Sequence, residues 1–242
     1  MKMTPEQKRV AEQLTSLFEN GTINIRYDYA ENLKDGRGIT CGRAGFCTGT
    51  GDAYLVVKKY AEVAPSNPLA KYLPELRRLN TAEHNDETSG LPGFIMAWKT
   101  EAKSRKFCDV QDGVMDDLYW NPSQKHSNEL GLKTPLARAF MFDTIIQHGD
   151  NGDPDCLTAL LVTANAAMGG TPKTGVPEKD WLSAFIRLRR ANLAYCFEKS
   201  SRREWSQSTG RCDTFSSIAV TGNYALVTPF KAKWEGREHE IR

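Results

Sequence analysis

The sequence predicts a mainly α fold carrying one small β-hairpin, and three observations lead there. Apolar residues recur at helical spacing along most of the chain, a single stretch near the N-terminus alternates apolar with polar, and turn signals cluster around that stretch. The 242 residues, 40% of them hydrophobic, are enough to bury a real core as one large domain or two small lobes. No linker divides them into independent domains, so the expectation is one domain over residues 1–242.

The first helix is the clearest element. Thr4 is a good N-cap, Pro5 suits the first helical position, and Gln7 completes a capping box. Val10, Leu14, Leu17 and Phe18 follow at helical spacing, and Asn20-Gly21 is a stop signal. The helix is therefore expected from Pro5 to Glu19. Ile23 to Tyr29 alternates like a strand, Asp35-Gly36-Arg37-Gly38 is a turn, and Ile39-Thr40-Cys41 is a short return strand. Beyond Gly51 helices are expected over Asp52–Ala64, Leu69–Asn80, Phe94–Lys106, Val110–Trp120, Pro135–Gln147, Pro154–Met168 and Lys179–Phe197. The Pro135 segment, with Leu136, Phe140, Ile145 and Ile146 among small residues, reads as a buried central helix. No repeat or low-complexity tract interrupts the pattern.

Composition excludes several functions. Lys plus Arg number 32 and Asp plus Glu 30, a net charge of +2, which favours neither a nucleic-acid partner nor a membrane surface. The longest apolar runs, such as Ala159-Leu160-Leu161-Val162, fall far short of the roughly 20 residues of a membrane span. The start, Met1-Lys2-Met3-Thr4-Pro5, shows no leader. The six cysteines (Cys41, Cys47, Cys108, Cys156, Cys196, Cys212) contain no Cys-x-x-Cys pair, so a zinc site is not expected. Their even number suits up to three disulfides or six buried thiols, and spacing does not choose between these. His84, His126, His148 and His239 lack metal-ligand spacing; His148 ends a helix, where an imidazolium is favoured by the dipole. There is no phosphate loop and no Gly-x-Ser-x-Gly elbow. Trp98, Trp120, Trp181, Trp205 and Trp234 are read as core residues.

Two carboxyls remain as candidates for chemistry. Glu19 stands on the last turn of the first helix beside Phe18; the negative helix end and an apolar neighbour both favour the protonated form that a general acid needs. Asp35 lies in a glycine-flanked turn, where Arg37 would hold it ionised as a general base. Read in isolation, one is an ordinary helix-end glutamate and the other a plain Asp-Gly turn. Together, a carboxyl at a helix end followed by one on a hairpin is the layout of lysozyme-like sites, in which two carboxyls flank a glycosidic bond.

The residues then become specific. Phe18-Glu19-Asn20-Gly21-Thr22, the run from Asp35 through Gly38-Ile39-Thr40-Cys41-Gly42-Arg43-Ala44-Gly45-Phe46-Cys47-Thr48-Gly49-Thr50-Gly51 to Asp52, Lys71-Tyr72-Leu73-Pro74-Glu75-Leu76, Gly131-Leu132-Lys133-Thr134 and Gln147-His148-Gly149-Asp150 closely resemble the bacterial chitosanases of glycoside hydrolase family 46. The resemblance runs from Thr4 to Ser217. It implies a lysozyme-like, two-lobed fold with the lobes joined by a central helix around a substrate cleft. It implies an endo-acting, inverting hydrolase of β-1,4-linked glucosamine polymer, with Glu19 as general acid, Asp35 as general base and Thr40 helping to place the attacking water. By the same resemblance Tyr29, Arg37 and Asp52 contact the sugar, and Asp153, Arg189 and Arg211 form a charge network supporting the acid. A cleft for a cationic polymer should be locally acidic, and Glu31, Asp52, Asp150, Asp153 and Asp155 can supply that field. Neither metal nor cofactor is required, and the resemblance implies a secreted monomer whose leader is absent from this chain. One departure is Glu198-Lys199-Ser200-Ser201, where relatives often carry a His-Asp or acidic segment. The alternatives are a lysozyme- or chitinase-like hydrolase of N-acetylated polysaccharide and a non-catalytic carbohydrate-binding protein.

Overall fold

A computed structural model describes residues 2–83 and 85–242. In chain order, helix α1 (Pro5–Asn20) is followed by strands β1 (Ala30–Asn32), β2 (Ile39–Cys41) and β3 (Phe46–Cys47). Helices α2 (Asp52–Val63), α3 (Leu73–Thr81), α4 (Phe94–Glu101) and α5 (Arg105–Met115) come next; a π-helical turn, Asp116–Trp120, then runs into α6 (Asn121–Leu130). Helices α7 (Pro135–His148), α8 (Leu157–Met168), α9 (Glu178–Ala194), α10 (Arg202–Ser206) and α11 (Gly210–Val220) precede a hairpin of β4 (Phe230–Trp234) and β5 (Arg237–Ile241). The expected mainly α class holds, with a second hairpin that was not expected.

The chain forms two compact units: residues 1–24 with 119–242, and residues 25–118. The first is organised on α7. Its residues from Pro135 to Ile145 are all buried, as befits a helix with no polar face. Phe140 meets Phe185 and Phe215 with ring centroids 5.2 and 5.0 Å apart. Helix α1 carries the expected capping box, Thr4 with Gln7, and ends at Gly21, whose φ of 66° lets its N–H reach the Leu17 carbonyl. The second hairpin turns through Glu235 and Gly236, both at positive φ, as a two-residue hairpin loop requires.

The second unit packs α2, α3, α4 and α5 around Trp98, Phe94 and Phe107 beneath a three-stranded antiparallel sheet of order β1-β2-β3. The strand expected over Ile23–Tyr29 is absent. One of its carbonyls is taken up by side chains instead: that of Tyr27 accepts from Trp98 Nε1 at 3.0 Å and Gln111 Nε2 at 3.2 Å. The first strand starts at Ala30, and Glu31 pairs with Thr40. The expected helix Phe94–Lys106 breaks at Ser104, where the extended backbone starts α5 eleven residues before the π-helical turn.

Candidate active site

In the first unit, α1 delivers Glu19 to the end of a buried ion network. Phe18 and the turn before it are buried, while the Glu19 side chain is 42% exposed. Its Oε1 accepts from Arg211 Nη2. Arg211 Nη1 lies 3.4 Å from Asp143 Oδ1, and Arg189 Nη1 donates to Asp143 Oδ2 at 2.7 Å. Asp143 and Arg189 are fully buried, and Thr15 Oγ1 donates to Asp143 Oδ1 at 3.4 Å. The guanidinium of Arg211 sits 5.6 Å from the Phe18 ring and that of Arg189 5.1 Å from the Phe140 ring. The apolar surroundings expected for Glu19 are thus replaced by a guanidinium contact on a half-open side chain.

The structure brings Arg189 and Arg211 together around one buried carboxylate beside Glu19, but Asp153 is not among them. Asp153 is exposed in the loop after α7, where its Oδ1 accepts from the Asp155 N–H at 2.8 Å. The carboxylate between the two arginines is Asp143, ten residues earlier. Its signal was present: it is the one carboxylate in an otherwise apolar stretch of α7, and a buried carboxylate needs cations. His148, the last residue of α7, also departs from expectation. It is buried, and burial together with the nearby Arg189 pushes its pKa down to about 3, so the ring is neutral. Its Nδ1 donates to the Asp155 carbonyl at 2.9 Å, and burial outweighs the helix dipole. Asp155 is buried as the anchor of the loop after α9, accepting from Phe197 and Glu198 N–H groups, and Asp150 accepts from Thr158 and pairs with His126.

In the second unit, the β1–β2 turn holds Asp35. Its Oδ2 accepts from Arg37 Nε at 3.0 Å and Nη2 at 2.7 Å, and its Oδ1 from the Arg37 N–H at 3.1 Å. These hydrogen bonds, the side-chain ones foremost, hold the carboxyl below the usual aspartate range, as the turn pattern led us to expect. Gly38 is obligatory: at φ 77° a Cβ there would fall 2.3 Å from Thr48 Oγ1, which accepts the Ile39 N–H.

The rest of the predicted set lies on or beside the same sheet. Tyr29 donates to Glu31 Oε2 at 3.3 Å, and burial and Glu31 together raise its phenol pKa. Thr40 is buried with its hydroxyl 3.4 Å from Cys47 Sγ. Asp52 opens α2 with structural bonds: its Oδ1 accepts from Cys47 N–H at 2.8 Å, Thr50 Oγ1 at 2.5 Å and Ala53 N–H at 3.2 Å. Burial raises its pKa. The six cysteines are buried free thiols. Among the described residues no three His, Cys, Asp or Glu side chains are grouped to hold a metal; His84 lies outside them.

Mainly helical, with Glu19 on the last turn of its first helix and a small antiparallel sheet after it, this chain has the lysozyme-like fold. The model of glycosyl hydrolase family 46 matches residues 13–230, and the chain belongs to that family. It is 51% identical to a chitosanase of Bacillus subtilis (strain 168), over 96% of this chain and 83% of that one. With a chitosanase of Streptomyces sp. (strain N174) the identity is 34%, over 98% and 82%. Two solved structures resemble it throughout. One is an E19A mutant chitosanase from Bacillus subtilis MY002 complexed with 6 GlcN, with TM-score 0.90, 49% identity and full coverage of both chains. The other is the Gynuella sunshinyii chitosanase in complex with chitotetraose, with TM-score 0.90 and 37% identity over 100% and 99% of the two chains.

Proposed function

We propose that this chain is an endo-acting chitosanase that cleaves β-1,4-linked glucosamine polymer with inversion, as a single two-lobed catalytic domain acting as a secreted monomer. Family membership and relatives named as chitosanases, two of them solved with glucosamine oligomers, support the substrate. Secretion fits a polymeric substrate, and no described helix is long and apolar enough to cross a membrane.

In this reading Glu19 protonates the leaving glycosidic oxygen. Asp35 takes a proton from a water attacking the anomeric carbon on the opposite face, and Thr40 helps to place that water. The observation that carries the assignment is the buried Asp143–Arg189–Arg211 network ending on Glu19. As the proton leaves, the carboxylate that forms meets a guanidinium already oriented and held, so little reorganisation is needed. Asp35, kept ionised by Arg37, is ready to accept a proton. Tyr29, Glu31, Arg37 and Asp52 bind the sugar chain, with Glu31 and Asp52 attracting its amines.

The test is Glu19→Gln and Asp35→Asn on fully deacetylated chitosan, with product sizing and anomer analysis. Both variants should lose cleavage while still binding chitosan. Turnover within about tenfold of the parent, a barrier change of only ~1.4 kcal/mol, would reject the assignment. Faster cleavage of chitin than of chitosan would move the substrate to N-acetylated polymers.

A further inference from the structure

The three-stranded sheet sets Glu31, Thr40 and Cys47 in one cross-strand row. Residues directly opposite one another on paired strands project to the same face, which brings the Thr40 hydroxyl within 3.4 Å of Cys47 Sγ. The direction of that contact follows from counting protons. A thiol has one hydrogen. Cys47 Sγ lies 3.2 Å from the Gly45 carbonyl oxygen, which only accepts, so the thiol hydrogen is committed there. Burial raises the pKa of this thiol, which keeps the hydrogen in place. The Thr40 O–H must therefore be the donor to sulfur. Cys47 is itself fixed through its backbone N–H, which Asp52 Oδ1 accepts at 2.8 Å.

We propose that Cys47 is a positioning residue for hydrolysis: its sulfur turns the Thr40 proton inward, so that the Thr40 oxygen faces the attacking water as an acceptor only. This rests on Thr40 contacting that water, as stated above. The consequence is chemical. A water that donates one proton to Asp35 and the other to Thr40 keeps a lone pair free for the anomeric carbon. A freely rotating Thr40 hydroxyl would instead donate to the water for part of the time, tying up one of its two lone pairs and leaving its second proton without this acceptor.

The experiment measures kcat and KM on glucosamine hexamer for Thr40→Val, Cys47→Ala, Cys47→Ser and the Thr40→Val/Cys47→Ala double variant. Cys47→Ala should lower kcat by about fivefold, the worth of one ordinary hydrogen bond, with KM within twofold. Cys47→Ser, which can still donate to Gly45 and accept from Thr40, should stay within about twofold of the parent. In the Thr40→Val background, Cys47→Ala should cost nothing further, because no hydroxyl remains to orient. An impaired Thr40→Val enzyme beside a parental Cys47→Ala enzyme overturns this inference and leaves the role of Thr40 standing. Equal losses from Cys47→Ala in both backgrounds overturn it too, by assigning Cys47 a purely structural effect. A parental Thr40→Val enzyme overturns the Thr40 role and this inference together, while the Glu19 and Asp35 variants judge the rest of the mechanism separately.

Discussion

The surroundings of Glu19 and of Asp35 are built on opposite plans. Glu19 is held by Arg211, 192 residues away in the chain; Asp35 is held by Arg37, two residues away. Behind Glu19 stand charges removed from water, with Asp143 and Arg189 at 0% exposure. The Asp35–Arg37 pair stands in solvent, at 31% and 53%. The same charge types therefore have different weight. Attraction between unit charges grows as the effective dielectric falls, and an uncompensated charge in the core is far more costly than one in a turn. The first unit spends packing on a rigid electrostatic frame, while the second uses local hydrogen bonds that a hairpin provides by itself.

The strongest way to break this comparison is Asp143→Asn. The substitution keeps shape but leaves two buried guanidinium groups with no buried counter-charge. Loss of about 3–5 kcal/mol of stability is expected, as for other broken buried pairs, together with a large fall in kcat as Arg211 loses its anchor. Denaturant unfolding beside chitosan turnover measures both. A loss below about 1 kcal/mol would mean that the network is no more than a surface pair in effect.

His148 sharpens the same side of the comparison. The folded protein keeps it neutral down to about pH 3, whereas the unfolded chain protonates it near pH 6.5. Between those values the unfolded state binds the extra proton, so the stability contribution present above about 6.5 is lost as pH falls, by up to ~1.4 kcal/mol per pH unit. That is about 2 kcal/mol at pH 5. In His148→Asn, whose amide can still donate to the Asp155 carbonyl, the slope of stability against pH from 7 to 5 should flatten accordingly. Parallel slopes in parent and variant would show that the ring takes up a proton in the folded state.

These plans also explain what could be read from the chain. The capping box at Thr4 and Gln7, the Gly21 stop and the Asp35–Arg37 turn are written in neighbouring residues, so short-range reasoning reaches them. The partners of Glu19 are set by how α1, α7, α9 and α11 pack, and no local pattern encodes that. The resemblance to the family implied Arg189 and Arg211 with Asp153, whereas the carboxylate between the two arginines is Asp143, ten residues earlier and inside α7. The missing strand at Ile23–Tyr29 has a similar cause: Trp98 and Gln111, about 70 and 85 residues on, took its carbonyl. The second hairpin has a legible Glu235-Gly236 turn between two short segments, a local signal that lies beyond the end of the family resemblance at Ser217.

On the second side, Asp52→Asn separates a sugar contact from a structural joint. The amide oxygen can keep the bonds from Cys47, Thr50 and Ala53, so the melting temperature should change little. If Asp52 also faces a glucosamine amine, kcat/KM on chitosan should fall roughly tenfold or more, and much less on N-acetylated oligomers, whose amides gain less from a carboxylate. Equal losses on both substrates would leave Asp52 as the residue that fastens β3 to α2.

The smallest expected effect, and the one that speaks most directly to the turn, is Arg37→Met. Removing the guanidinium takes away the leading cause of the lowered Asp35 pKa, so that pKa must rise. Hydrolysis needs Asp35 ionised. In the parent the acid limb of kcat/KM should accordingly fall below the ordinary aspartate value of about 3.9; in the variant it should move upward. Stability should change by less than about 0.5 kcal/mol, in contrast to Asp143→Asn. A profile on soluble glucosamine oligomers from pH 3 to 7 decides the role of Arg37. If Arg37 acts by holding Asp35 ionised, the variant loses activity in acid and recovers it near neutrality. If it acts by contacting the sugar, KM rises by the same factor at every pH and the limb stays where it was. An unmoved limb with unchanged KM would remove Arg37 from the reaction, and would leave Asp35 without the local partner on which the contrast with Glu19 depends.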